Sequence, residues 1–142
     1  MTMGLELPAA EQWLYSSLNA DSALATALGG AGRIYTHTIP KDGVFPCVLI
    51  SLLDPRDFMY SGPVRVWTAA LYLVRVVAKT ASLATVTAAA GRIDAVLQAA
   101  AGTVALGTVW GCVRERPFLL SEKDGGGTEY RHLGGVYRIW VS

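Results

Sequence analysis

Over residues 64–78 the chain alternates. Val64, Val66, Thr68, Ala70, Tyr72, Val74, Val76 and Ala78 are apolar or small, while the interleaved set that begins at Arg65 carries its charges only towards its ends. This period of two predicts a long strand. Its middle, residues 69–74, is apolar on both faces, so something must cover the second side of the sheet, and a partner subunit is one candidate. The period then changes. Past Lys79 the chain enters an alanine-rich stretch, residues 80–101, in which Leu83, Val86, Ala90, Ile93 and Leu97 recur at steps of three and four. That spacing predicts a helix with Leu83, Ile93 and Leu97 against the sheet, Gly91 at a tight crossing and Gly102 as its stop.

Shorter elements flank this joint. Residues 9–19 read as a helix with Trp13, Leu14 and Leu18 near one stripe and Pro8 in its first turn. Asp21 is a cap for a second helix, residues 22–28, halted by Gly29 and Gly30. Residues 33–39 are a short extended piece and residues 40–43 a turn. Residues 45–53 make a strand ended by Asp54 and Pro55, and residues 56–62 an exposed connection. Beyond the long helix, residues 105–115 and 118–121 are extended segments split by Pro117. Residues 122–128 form a polar, glycine-dense hairpin tip, expected to be the most mobile element, and residues 130–141 close the chain as a strand. This order predicts an α+β fold, an antiparallel or mixed sheet with helices packed on one face. A chain of 142 residues fits one domain, 1–142.

Composition changes the picture in one respect. Hydrophobic residues make up 52% and charged residues only 16%, below the quarter usual for soluble domains, so few charges hold copies apart and self-association is expected. A net charge of +1, without consecutive lysines or arginines, argues against high affinity for a polyanion. The first ten residues lack a secretory pattern and Arg75 breaks the greasiest stretch short of bilayer length, so a soluble chain, made inside the cell and without a membrane partner, is expected.

Candidate chemistry is sparse. His37 and His132 have no cysteine, histidine or carboxylate at metal-like spacing, so no metal or other cofactor is expected. Cys47 and Cys112 lie in apolar, strand-like surroundings that predict buried reduced thiols, and their spacing supplies no argument for a disulfide. Gly29, Gly30 and Gly32 follow a helix and Gly125, Gly126 and Gly127 precede a strand, which makes both clusters turns and not phosphate cradles. The carboxylates show no paired arrangement for acid–base work, and no serine sits on a strand–turn–helix elbow. No catalytic residue emerges, and an enzyme is not expected. Trp13 and Trp110 read as core. Phe58, Met59 and Tyr60, apolar in a connection, and the finger Glu122, Lys123, Asp124, Gly125, Gly126 and Gly127 are the candidate contact residues.

The run Glu11-Gln12-Trp13-Leu14-Tyr15-Ser16-Ser17-Leu18-Asn19-Ala20-Asp21, the segment Gly32-Arg33-Ile34-Tyr35, and Phe45-Pro46-Cys47-Val48-Leu49-Ile50 together resemble the tail-completion, or tail-terminator, proteins of long-tailed bacteriophages. Arg75-Val76-Val77-Ala78-Lys79-Thr80 and the closing Tyr137-Arg138-Ile139-Trp140-Val141 follow in the family's order, so the similarity spans nearly the whole chain. The resemblance implies a ring-forming subunit, a homo-hexamer at the head-proximal end of the tail tube. Such a ring stops tube growth and docks the head connector. The implied partners are the tail tube protein and the head completion or connector protein, with phage DNA passing through the lumen without specific binding. The implied location is the virion, after assembly in the host cytoplasm. Another head–tail joining or neck protein, a small ligand-binding regulatory domain and an unrecognised hydrolase are the alternative readings.

Overall fold

The computed structural model describes residues 4–59, 65–80 and 83–142; the expectations for Tyr60 and Val64 lie outside them. Helix α1 (Glu6–Asn19) begins one turn earlier than its apolar stripe, with Pro8 in the first turn. Its Ala10, Trp13, Leu14 and Leu18 are buried. Asp21 then caps α2 (Ser22–Leu28), accepting the Leu24 N–H at 3.0 Å. Gly29 ends α2 in the left-handed region at φ 85°, and the N–H groups of Gly29 and Gly30 return to the carbonyls of Thr26 and Ala25.

Six strands and one more helix follow: β1 (Ile34–Thr36), β2 (Cys47–Met59), β3 (Arg65–Ala78), α3 (Ala84–Leu97), β4 (Gly102–Val104), β5 (Gly107–Lys123) and β6 (Glu129–Val141). The sheet order is β1-β2-β3-β6-β5-β4. Only β1–β2 is parallel, so the sheet is mixed. One face carries Val48, Ile50, Ala70, Tyr72, Val74, Tyr137, Ile139 and Val141; α1 and α3 pack on it, and α2 adds Leu24 and Leu28 to the same core while resting on α3 and α1. Ile93 and Leu97 of α3 are wholly buried there, each worth about 1.5–3 kcal/mol.

The long helix departs from expectation at both ends and in its middle. Leu83 is 40% exposed because it occupies the N-cap instead of the packed face. The helix stops at Leu97, well before Gly102. Ala99 takes a positive φ of 61° and gives its N–H to the Cys112 carbonyl, while Gln98 Oε1 accepts the Arg114 N–H at 2.9 Å. Two bonds to β5 thus pull the chain out of the helix, and Gly102 starts β4. Gly91 faces open space, so no tight crossing exists there. The close approach lies at Gly134, where an added Cβ would fall 2.1 Å from the Val74 carbonyl oxygen and 2.6 Å from Arg75 Cα.

Neither proline ends its strand. β2 runs through Asp54 and Pro55 to Met59, so Phe58 and Met59 are strand residues and not part of a loop. β5 runs through Pro117 to Lys123 as one element. The reason is position in the sheet. β1 pairs with β2 only at Val48, Leu49 and Ile50, and β4 pairs with β5 only at Gly107, Thr108 and Val109. Beyond those residues both strands are sheet edges, where a proline need not break the ladder. A register shift precedes each, between Leu52 and Asp54 and between Arg114 and Arg116. Bulge and proline together blunt both long edges against strand addition.

The face away from the helices is not left greasy at its centre. The sheet curls, and Ala69, Leu73 and Val136 are buried by the chain itself. Nearer β1, Cys47, Leu49 and Val77 form a second small core packed by Tyr35, Ile39, Phe45 and Tyr130. A partner is therefore not needed over residues 69–74, and the most exposed apolar side chains of the sheet, Trp110, Met59 and Leu119, lie towards its two ends instead.

Candidate assembly surface

At one end three tryptophans from distant parts of the sequence converge. The register pairs Ala69 with Trp140 and Gly111 with Trp140, which sets Trp67, Trp110 and Trp140 side by side on the face opposite the helices. With Val66, Gly111 and Ser142 they line an open groove of about 540 Å³ without a charged side chain. Trp110 is 66% exposed, so its reading as core fails. The shift between Val109 and Gly111 places it in a bulge, which re-aims a side chain, and its Nε1 donates to Ser142 Oγ at 2.7 Å. Trp13, by contrast, is core as expected. Phe58 extends the aromatic surface, its ring centroid 6.3 Å from that of Trp67. Met59 beside it is the most exposed of these apolar residues after Trp110.

The second patch lies at the other end, on the β5–β6 hairpin. Leu119 and Leu120, 57% and 41% exposed, sit on opposite faces of this arm. Its tip is closed by hydrogen bonds of its own. The Asp124 carboxylate accepts from the N–H groups of Gly126 and Thr128 at 2.9 and 3.0 Å, and the Asp124 N–H donates to the Thr128 carbonyl. These backbone bonds, led by Thr128, hold the Asp124 carboxyl below its ordinary value. Gly127 supplies a positive φ of 83° that the turn requires, and Gly125 stands in open space. Lys123 faces Glu129 at 3.5 Å, and Glu122 Oε1 meets His132 Nε2 at 2.7 Å. The two groups of contact residues expected from sequence thus lie at opposite ends of the sheet.

The remaining reactive side chains are occupied in structural ways. His37 meets Glu11 at 2.6 Å. Cys47 and Cys112 are buried free thiols on opposite faces of the sheet, one in each core, so they cannot bond to each other. Burial pushes Cys47 up to about 11 and Cys112 up to about 12, which makes both poor nucleophiles.

The described surface carries two separate exposed apolar patches, and comparison with known proteins gives the family. The sequence profile described as "Tail completion protein gp17" matches residues 12–142. The chain belongs to the tail completion protein gp17 family. It is accordingly a structural protein of the phage tail, located in the virion and associated with other structural proteins of the particle. No curated protein matches the chain. Among solved structures it is similar to a chain of "Virion of native gene transfer agent (GTA) particle", with a TM-score of 0.73 and 22% identity over 97% of this chain and 98% of that one. At that identity the likeness is one of fold.

Proposed function

We propose that this tail completion protein is the tail terminator, a subunit that closes into a hexameric ring at the head-proximal end of the tail tube. The family match over residues 12–142 carries the reading. The ring stops tube polymerisation on its lower face and docks the head connector on its upper face. Two apolar patches at opposite ends of one sheet support it, since a contact between unlike surfaces repeats head to tail and closes when the rotation per subunit divides a full turn. The charge pattern agrees with a passive conduit for DNA. Arg138 Nε donates to Glu115 and Arg75 lies over the Phe118 ring, so these two cations are already engaged inside the chain. No catalytic role is part of this reading.

Electron microscopy of particles carrying a small label on this subunit tests it. A single labelled disc between head and tube is the expected image. Label distributed along the tube or within the capsid would refute the proposal. Loss of the protein should leave heads and tails unjoined, with tubes of irregular length.

A further inference from the structure

The tryptophan groove and the Leu119–Leu120 arm are complementary. We infer that they are the two halves of one subunit contact, with the arm of one copy seated in the groove of the next. This rests on the ring reading and deepens it by naming the surfaces that join.

Four observations lead to this occupant. First, the groove is apolar, aromatic and without charge on its lining. The arm offers Phe118, Leu119, Leu120 and Ser121, an uncharged run in which two adjacent large hydrophobic side chains stand exposed. Second, a chain cannot fill its own groove. Nine strand residues lie between Trp110 and Leu120, about 30 Å of extended chain, so an arm in the groove must come from another molecule. Third, Pro55 and Pro117, each just past a bulge, disfavour strand addition along the long free edges of β2 and β5, and the outermost strands β1 and β4 are only three residues each. Side-chain docking is then the favoured mode of association. Fourth, the arm is prepared for insertion. The Asp124 turn and the Lys123–Glu129 pair fix its tip, so little ordering cost is added on docking.

The contact is between unlike surfaces, and this gives a test that a groove-to-groove contact fails. Trp110→Ala removes the acceptor and Leu120→Asp removes the donor. Both side chains are exposed, so each variant should melt near the wild-type temperature. Wild-type protein should form closed oligomers by mass photometry, and each variant alone should associate at least tenfold more weakly. Mixed one to one, the two variants retain one intact groove and one intact arm per pair, and should give dimers that grow no further. As a second readout, Trp110→Cys mixed with Leu120→Cys should form an intermolecular disulfide between unlike chains only. Closed wild-type oligomers with variants that assemble as well as the wild type would overturn the pairing and leave the ring reading intact. So would variants that weaken assembly but fail to rescue each other. Wild-type protein that stays monomeric at every concentration and on tail tubes removes both.

Discussion

Arg92 of α3 donates from Nε and Nη2 to the two carboxylate oxygens of Asp21, at 3.0 and 2.9 Å, while one of those oxygens also accepts the Leu24 N–H that starts α2. One carboxylate therefore joins a helix cap to a packing contact between two helices. Asp21→Ala should destabilise the protein by about 1 kcal/mol for the cap alone. The Arg92 side is solvent-screened and adds less than its geometry suggests. The bond from Arg92 is the main cause that holds the Asp21 carboxyl below its ordinary value of 3.8. A depressed folded pKa gives stability that is complete above the unfolded value and is lost as the pH falls through the folded one. Denaturant midpoints should accordingly drop below pH 4 in the wild type and drop less steeply in Asp21→Ala.

A second tie joins helix to sheet. Tyr137 of β6, buried beneath α3, donates its hydroxyl to Asp94 Oδ1 at 2.9 Å. Tyr137→Phe keeps the ring and loses the bond, and Asp94 remains open to water, so the cost should be about 1 kcal/mol. Burial, followed by the bond to Asp94, pushes the phenol up. Ultraviolet titration should show Tyr137 un-ionised at pH 11 in the folded protein and ionised only on alkaline unfolding.

Gly134→Ala should be the most damaging of the small substitutions. The added Cβ meets backbone atoms of Val74 and Arg75 that cannot move without shifting β3. Overpacking of this kind costs about 1–3 kcal/mol. Urea denaturation should show a lower midpoint with the slope unchanged. The same change at Gly91, which faces open space inside α3, should stabilise the protein by about 0.5–1 kcal/mol. The opposite signs of the two results check where the close approach lies.

These glycines also show what a single sequence conceals. The alternation through Tyr72, Val74 and Val76 and the step pattern of Val86, Ile93 and Leu97 are local and gave the strand, the helix and the burial of these residues, but not the ends of the helix or the exposed side of Leu83. Pro55 and Pro117 misled because a proline stops a central strand but not an edge, and edge status depends on how short β1 and β4 are. Trp110 misled because a bulge reverses its side. The groove itself was out of reach of sequence reasoning, since Trp67, Trp110 and Trp140 are neighbours only through the register of β3, β6 and β5. Of the residues expected as contacts, Phe58 lies beside that groove, against Trp67, without lining it.

Thiol chemistry offers a check on both cores. At pH 8 the two thiols, raised to about 11 and about 12 chiefly by burial, are almost wholly protonated in the folded state. A thiol reagent should modify neither at an appreciable rate until the chain unfolds. Cys47 lies in the smaller core, against Leu49 and Val77, and Cys112 in the larger. Cys47 should therefore react first in partial denaturant, because its core has fewer contacts to lose.

The last prediction separates folding from assembly. Phe58 packs in a tilted pair with Trp67 at the rim of the groove, and Gly125, Gly126 and Gly127 sit at the far tip of the β5–β6 hairpin. Neither group belongs to a buried core. Phe58→Ser removes an exposed aromatic surface and should leave the thermal midpoint within a few degrees of wild type. Deleting Gly125–Gly127 shortens a turn held by Asp124 and should unsettle the tip while the six-stranded sheet persists, read as unchanged near-ultraviolet circular dichroism from the buried tyrosines. Joining of heads to tails in an assembly extract should nonetheless fall for both. Because the two changes touch the two halves of one proposed contact, each should impair assembly, and their effects should be coupled instead of additive. Full joining activity in both variants would mean that neither end of the sheet makes the contacts that complete the tail.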